Sequence, residues 1–87
     1  MRIIISPRAE RQLRKLSKVN QIIVAKKIRS LGLGSTKANE KLTGYKSIYR
    51  TRVGDIRIVY KRSRGLLYII LIGNRRDIYD RLKKLLG

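Results

Sequence analysis

The feature that most constrains the fold is a run of three strand-like segments joined by short turns. Ser47–Val53 and Ile56–Lys61 each alternate between the two faces of a strand, and Gly54-Asp55 between them is a two-residue hairpin signal of the Gly-X type. After a second turn, Leu66–Ile72 is apolar at every position, as expected for a strand that is largely buried on both faces. These segments predict an antiparallel meander, which Gly73 ends.

Before the meander, the sequence predicts one strand and two helices. Arg2–Ile5 is a short apolar strand, and Ser6-Pro7 then supplies an N-cap and the residue best suited to the first helical position. Apolar side chains recur at helical spacing after Pro7, and Ser17 caps a second helix that runs to about Leu31. Gly32 is the expected C′ residue of that helix.

Two further segments complete the chain. Gly32–Lys46 is polar and rich in helix breakers, which predicts a surface loop. Asp77 is the expected cap of a last helix, whose apolar stripe is Ile78, Leu82, Leu85 and Leu86.

The element order is therefore β-α-α-β-β-β-α, an α+β domain. We expect a small antiparallel sheet packed on one face by the helices, in two layers, with residues 1–87 as a single domain. The first strand must pair beside one of the later strands, and the sequence leaves open which one.

Charge and composition narrow the function. The 23 Lys and Arg residues against 5 Asp and Glu give a net charge of +18, which favours a polyanionic partner, while 43% apolar residues argue against disorder. The chain has no histidine and no cysteine, which excludes zinc fingers and Ser-His-Asp or Cys-His catalysis, and five scattered acids leave little for a two-metal site. No metal and no cofactor are expected.

The longest apolar run, Leu66–Ile72, is too short for a membrane helix, and with no secretory signal we expect a cytoplasmic protein.

The arginines of the predicted hairpin are the strongest functional signal. Arg50 and Arg52 share a strand face, and Arg57 lies across the turn on that face or at its edge. Like charges on adjacent strands repel unless an anion lies among them, and arginine grips phosphate with a planar fork of donors. The alternative is that alternate arginines are only the solvated side of the sheet.

A second group of cations covers the predicted helices. This surface is suited to non-specific contacts with RNA, and surface solvation explains many of its members equally well. Two cations outside these helices are added to the set: Lys61 in the second strand of the hairpin and Arg76 just before the last helix. The candidate RNA-binding residues are therefore Arg11, Arg14, Lys15, Lys18, Lys26, Lys27, Lys61 and Arg76.

Two motifs give the sequence a resemblance to a known family. Tyr49 to Lys61 (YRTRVGDIRIVYK) and Ile72 to Tyr79 (IGNRRDIY), together with the SPRA opening at Ser6 and the helical pair, resemble the RelE/ParE toxins of prokaryotic toxin–antitoxin systems. The resemblance covers nearly the whole chain. It implies a small twisted antiparallel sheet with a helical hairpin on one side.

The resemblance also implies a set of RNA-cleaving positions. In RelE-like members these are two basic residues before the hairpin turn, an arginine after it, an arginine two residues after the glycine, and a tyrosine that ends the motif. They correspond here to Arg50, Arg52, Arg57, Arg75 and Tyr79.

The first two of these positions are often lysine in the family, whereas this chain has arginine at both. Arginine keeps its proton, so proton transfer falls to Tyr79, as the base that takes the 2′-OH proton or else as a ring that stacks on the substrate. Arg75 is expected nearest the leaving oxygen. Tyr79 has the alternative of being a half-buried helix residue that packs on the sheet.

RelE-like members are ribosome-dependent endoribonucleases that cut mRNA, so we expect a metal-independent mRNA endoribonuclease, with mRNA and the ribosome as partners. The resemblance also implies a small acidic RelB-like antitoxin in a hetero-oligomer with the toxin. A ParE-like inhibitor of DNA gyrase that cuts no RNA is the first alternative. A plain RNA-binding protein of the ribosome is the second.

Overall fold

A computed structural model describes residues 1–34, 40–42, 44–74 and 78–86, with only the backbone of Glu40, Tyr79 and Leu86. The element order confirms the predicted α+β class. In chain order the elements are β1 (Arg2–Ile5), α1 (Pro7–Arg14), α2 (Lys18–Gly32), β2 (Glu40–Lys41), β3 (Ile48–Val53), β4 (Ile56–Ser63), β5 (Leu66–Asn74) and α3 (Ile78–Leu86).

Both helices of the N-terminal hairpin begin at the predicted serine caps. The Ser6 hydroxyl accepts a hydrogen bond from the Ala9 amide at 3.0 Å, and the Ser17 hydroxyl accepts one from the Asn20 amide at 3.2 Å. Ser6 also donates to the Ile70 carbonyl at 2.8 Å, which ties the start of α1 to β5. These bonds satisfy amides that a helix leaves free at its first turn.

Gly32 has a different role from the one predicted. It is the last residue of α2 rather than its C′ residue, and its backbone φ is not positive. A Cβ on Gly32 would lie 2.5 Å from Cδ1 of Ile3. The glycine is therefore used for the close approach of α2 to β1. The predicted cap of α3, Asp77, lies outside the described residues.

The sheet contains five strands in the order β1-β5-β4-β3-β2. β3, β4 and β5 form the predicted antiparallel meander. In the turn between β3 and β4, Gly54 has a positive φ of 59° and Asp55 does not, which is the pattern of the predicted Gly-X turn. β1 takes the open edge of β5 and runs parallel to it, so the sheet is mixed rather than wholly antiparallel. The two-residue β2 lies within the segment predicted as a loop.

Helices cover both faces of the sheet, which corrects the expected two-layer arrangement. α1 and α2 pack on the face of Ile58 and Leu67, whereas Ile78 and Leu82 of α3 pack on the opposite face against Val59. The central strands are therefore buried on both sides, which agrees with the apolar residues at consecutive positions of β5.

A bulge in β5 enlarges the contact with α3. Val59 pairs with Leu71 and Tyr60 with Ile69, so Ile70 is the extra residue. Ile70 and Leu71, though adjacent in the chain, both belong to the cluster that contains α3. In the described part of the chain, no helix is long and apolar enough to cross a membrane.

Candidate active site

The strand register places three arginines on one face of the sheet. Arg52 lies directly opposite Arg57, and Arg50 lies two residues along β3, opposite Val59. Residues that face each other across antiparallel strands have Cβ atoms about 5 Å apart, on the same side of the sheet. The predicted grouping of these three positions is confirmed, and we call it the arginine face. α3 packs on the same face, against Val59 and Leu71.

The three side chains differ in exposure. Arg52 is exposed and Arg50 is half-buried, but Arg57 retains only 4% of its surface. The face is therefore not wholly solvated, contrary to the simplest interpretation of alternate arginines. Arg57 lies on the central strand between Arg52 and Gly73, its register partner on β5.

The cross-strand partners of Arg50 and Arg52 differ. Glu40 of β2 is the register partner of Arg50, whereas Arg52 has a second arginine opposite it. Like charges in directly opposed positions destabilise a sheet, by up to about 1 kcal/mol. Such a pair is suited to binding an anion, because the anion removes the repulsion and the exposed guanidinium of Arg52 can donate to its oxygens.

The remaining two predicted catalytic positions follow β5. Arg75 lies outside the described residues, and only the backbone of Tyr79 is described, in the first turn of α3. Their neighbours in sequence are well placed. Gly73 is opposite Arg57, and a Cβ on Gly73 would lie 4.0 Å from Cδ1 of the buried Ile78. The first turn of α3 is therefore anchored at the strand end that carries Arg57.

The candidate RNA-binding residues are divided by the fold. Arg11 of α1 and Lys61 of β4 line one groove beside the α3 face, whereas α2, with Lys26 and Lys27, packs on the other side of the sheet. Arg14 is paired with Glu10 at 2.7 Å. Lys15 and Lys18 are exposed, and Arg76 lies outside the described residues. The described members of this set therefore do not form one continuous surface.

The groove that contains Arg11 and Lys61 was not predicted from the sequence. It has a volume of about 660 Å³, a floor of Ile48 and Ile70, and side chains of Tyr45 and Tyr68 in its lining. We call it the tyrosine groove. The lining comes from α1, the segment before β3, three strands and α3, so no local pattern brings these residues together.

Tyr49 and Tyr60 have the structural role expected from their parity. They are register partners on the opposite face, and their rings stack with centroids 5.7 Å apart. Burial raises the pKa of Tyr60, Arg62 opposes the shift and Tyr49 adds to it. Tyr60 is therefore a neutral core residue at physiological pH. In the described segments, no group of His, Cys, Asp or Glu could hold a metal ion.

Sequence comparisons identify no relative, since no family model and no curated protein matches the chain. Solved structures do match. A double mutant of E. coli RelE toxin in the free state has a TM-score of 0.78 at 22% identity, with 99% of this chain and 97% of that chain covered. A RelE–RelB complex from Pyrococcus horikoshii gives 0.75 at 22% identity, over 86% of this chain and 94% of that chain.

A third match is the YoeB dimer from Staphylococcus aureus, with a TM-score of 0.68 at 19% identity over 82% of this chain and 92% of that chain. All three matches cover at least 82% of this chain and at least 92% of the other chain. The family resemblance carried by Tyr49–Lys61 and Ile72–Tyr79 is thus confirmed for the fold, and the chain has the fold of the RelE toxins.

Proposed function

We propose that this chain is the toxin of a toxin–antitoxin pair and that it cleaves mRNA bound to the ribosome. The observation that carries the proposal is the opposed pair of Arg52 and Arg57, with Arg50 beside it, on the open part of a RelE-type sheet. A sheet face that carries three arginines at neighbouring positions is suited to a phosphodiester, because their charge attracts it and Arg52 and Arg50 can donate to its oxygens.

The reaction is an in-line attack by the ribose 2′-OH on the adjacent phosphorus. The 2′-oxygen bond to phosphorus forms and the bond to the 5′-oxygen breaks, which leaves a 2′,3′-cyclic phosphate and a 5′-hydroxyl. Charge that develops on the phosphoryl oxygens is stabilised by Arg52 and Arg50, because fixed donors in a partly dry site stabilise a transition state more than water does.

Arg57 acts differently, because it is almost fully buried. It contributes positive potential beside Arg52, its register partner. Arg57 is therefore a positioning residue in this proposal.

Proton transfer is assigned to Tyr79, whose phenolate takes the proton of the 2′-OH. Guanidiniums cannot do this, because they stay protonated at any working pH. Arg75 stabilises the leaving 5′-oxygen, which takes its proton from water.

The proposed partner that switches the toxin off is an acidic antitoxin. The net charge of +18 favours fast association with a polyanionic protein, and one of the structures with this fold is a RelE–RelB complex. Charge alone would equally favour RNA, so the antitoxin is proposed from the fold together with the charge.

The experiment is primer extension on a translated mRNA, with and without ribosomes, after addition of wild-type protein, Tyr79→Phe or Arg52→Ala. We expect cuts only on ribosome-bound mRNA, and we expect both variants to lose them. Arg64→Ala is the matched control, since Arg64 is an exposed arginine in the turn at the other end of the β4 strand. Growth inhibition without RNA cuts, unchanged in both variants, would instead indicate a ParE-like inhibitor of DNA gyrase.

A further inference from the structure

We propose that the tyrosine groove binds a nucleobase of the RNA strand whose phosphate lies on the arginine face. The proposal rests on the proposed function and extends it to a second contact with the same substrate. It assigns Tyr45 and Tyr68 to RNA recognition, a role that neither the sequence motifs nor the fold gives them.

The charge of the groove favours a polyanion. Among the described residues that line it, Arg8, Arg11, Lys46 and Lys61 are cationic and none is acidic. All four are exposed. A single-stranded nucleic acid binds best where a positively charged groove follows its backbone, so this lining matches that partner.

The groove lies on the same side of the sheet as the arginine face. Arg52, Arg50 and Ile48 alternate along β3 and therefore share a face, and Ile48 forms part of the floor of the groove. Ile48 is four residues before Arg52 on β3, a span of roughly 14 Å. A short stretch of extended RNA can bridge that span.

Register places the other groove residues at the same level. Lys61 on β4 is opposite Ile48, and Tyr68 on β5 is opposite Lys61. A cation and an aromatic ring thus follow the arginine face in the direction away from the Gly54 turn. This order, phosphate-binding cations followed by a ring, is the arrangement that holds a strand and stacks one of its bases.

The turn that carries Tyr45 is held in an unusual conformation. Gly44 has φ 87° and Ser47 has φ 60°, and Ser47 is the one non-glycine residue with a positive φ in the described part of the chain. The Arg62 amide donates to the Ser47 carbonyl at 3.1 Å, and the Leu42 amide donates to the Ile48 carbonyl at 2.8 Å. A left-handed serine costs free energy, and such residues are concentrated at binding sites.

An acidic amphipathic peptide is the competing occupant, because the aliphatic floor would also accept leucine side chains. RNA is favoured by two observations. The cations continue those of the arginine face, and the groove contains two aromatic side chains. The two occupants differ in one property: stacking on a base needs an aromatic ring, whereas packing of an aliphatic side chain does not.

The experiment uses a short 2′-O-methyl RNA, which cannot be cut because the attacking hydroxyl is blocked, with 2-aminopurine at successive positions. We expect wild-type protein to quench the fluorescence of one position when the RNA binds. Tyr45→Phe and Tyr68→Phe keep the rings and should keep the quenching. Tyr45→Leu and Tyr68→Leu should lose it and should bind the RNA about tenfold more weakly, since each stacked base contributes to affinity.

Thermal melts by circular dichroism establish that each variant is folded. The proposal is overturned if the folded leucine variants bind and quench as wild type does, or if wild-type protein quenches no position. The proposal is also overturned if the leucine variants keep their RNA affinity and lose only their affinity for a synthetic amphipathic peptide of glutamate and leucine. Cleavage by Arg52→Ala is measured separately. Wild-type protein that cuts no ribosome-bound mRNA contradicts the nuclease proposal, and the binding result stands apart from it.

Discussion

Arg52 and Arg57 lie directly opposite each other on β3 and β4, on the same face of the sheet, with one side chain exposed and the other 4% exposed. The pair opposes stability because two positive charges occupy adjacent positions of the ladder. The same arrangement is well suited to a phosphate. In the proposed function, a bound phosphate relieves this repulsion.

Removal of Arg52 should stabilise the free protein. We expect Arg52→Ala to raise the free energy of unfolding by about 0.5 kcal/mol, because the repulsion with Arg57 is lost and the exposed side chain contributes little packing. Urea unfolding at low ionic strength measures the difference. Arg64→Ala, at an exposed turn, should change stability less, and equal effects for the two variants would contradict the account.

An anion should stabilise the wild-type protein more than Arg52→Ala. Inorganic phosphate that binds the folded protein alone, at roughly ten times its dissociation constant, adds about 1.4 kcal/mol to the free energy of unfolding. Thermal melts in phosphate and in chloride at matched ionic strength test this. A phosphate effect of the same size in both proteins would place the anion elsewhere.

Tyr60→Phe should stabilise the protein at neutral pH. The Tyr60 hydroxyl is buried, and no hydrogen-bond partner for it is present among the described residues. Its removal ends the cost of keeping it from water, so the free energy of unfolding should rise by about 1 kcal/mol in urea titrations. A loss of stability of that size would mean that the hydroxyl has a partner.

The effect of Tyr60→Phe should grow at alkaline pH. Burial raises the pKa of Tyr60 in the folded state, whereas the unfolded chain loses the proton near pH 10. Above about pH 10 the folded state therefore binds more protons than the unfolded state, and stability falls as pH rises towards the folded pKa. Phenylalanine has no such proton, so the gap between variant and wild type should widen. A constant gap from pH 8 upward would contradict the shift.

The two serine caps should differ in their contribution. Ser6 makes hydrogen bonds to the Ala9 amide and the Ile70 carbonyl and is 6% exposed, whereas Ser17 makes one cap bond at an exposed site. We expect Ser6→Ala to cost about 2 kcal/mol and Ser17→Ala about 1 kcal/mol. Chemical denaturation of both variants measures the difference, and the reverse order would exclude a role for the Ile70 bond.

The arginine face could be predicted because it depends on local rules. Strict alternation in Ser47–Val53 and a two-residue turn at Gly54-Asp55 fix which positions face each other, and the register follows. Serine before proline likewise predicts the start of α1 from neighbouring residues alone.

The features that could not be predicted depend on distant parts of the chain. Leu66–Ile72 is apolar at every position, so its pattern does not reveal the bulge at Ile70 or the helix on each face. The parallel pairing of β1 with β5 joins segments near opposite ends of the chain, which no local pattern fixes. The burial of Arg57 follows from its central strand, since alternation predicts a face but not what covers it. Arg75 and the Tyr79 side chain remain predictions.

The most direct test of the central claim is the single-turnover rate of cleavage of ribosome-bound mRNA by wild type, Arg52→Ala, Arg52→Lys and the control Arg64→Ala. Loss of one fixed donor to a transition state lowers a rate by roughly 10²–10³. The account predicts a fall of that order for Arg52→Ala, partial recovery in Arg52→Lys, and no change for Arg64→Ala. Cleavage at the wild-type rate by Arg52→Ala would contradict it.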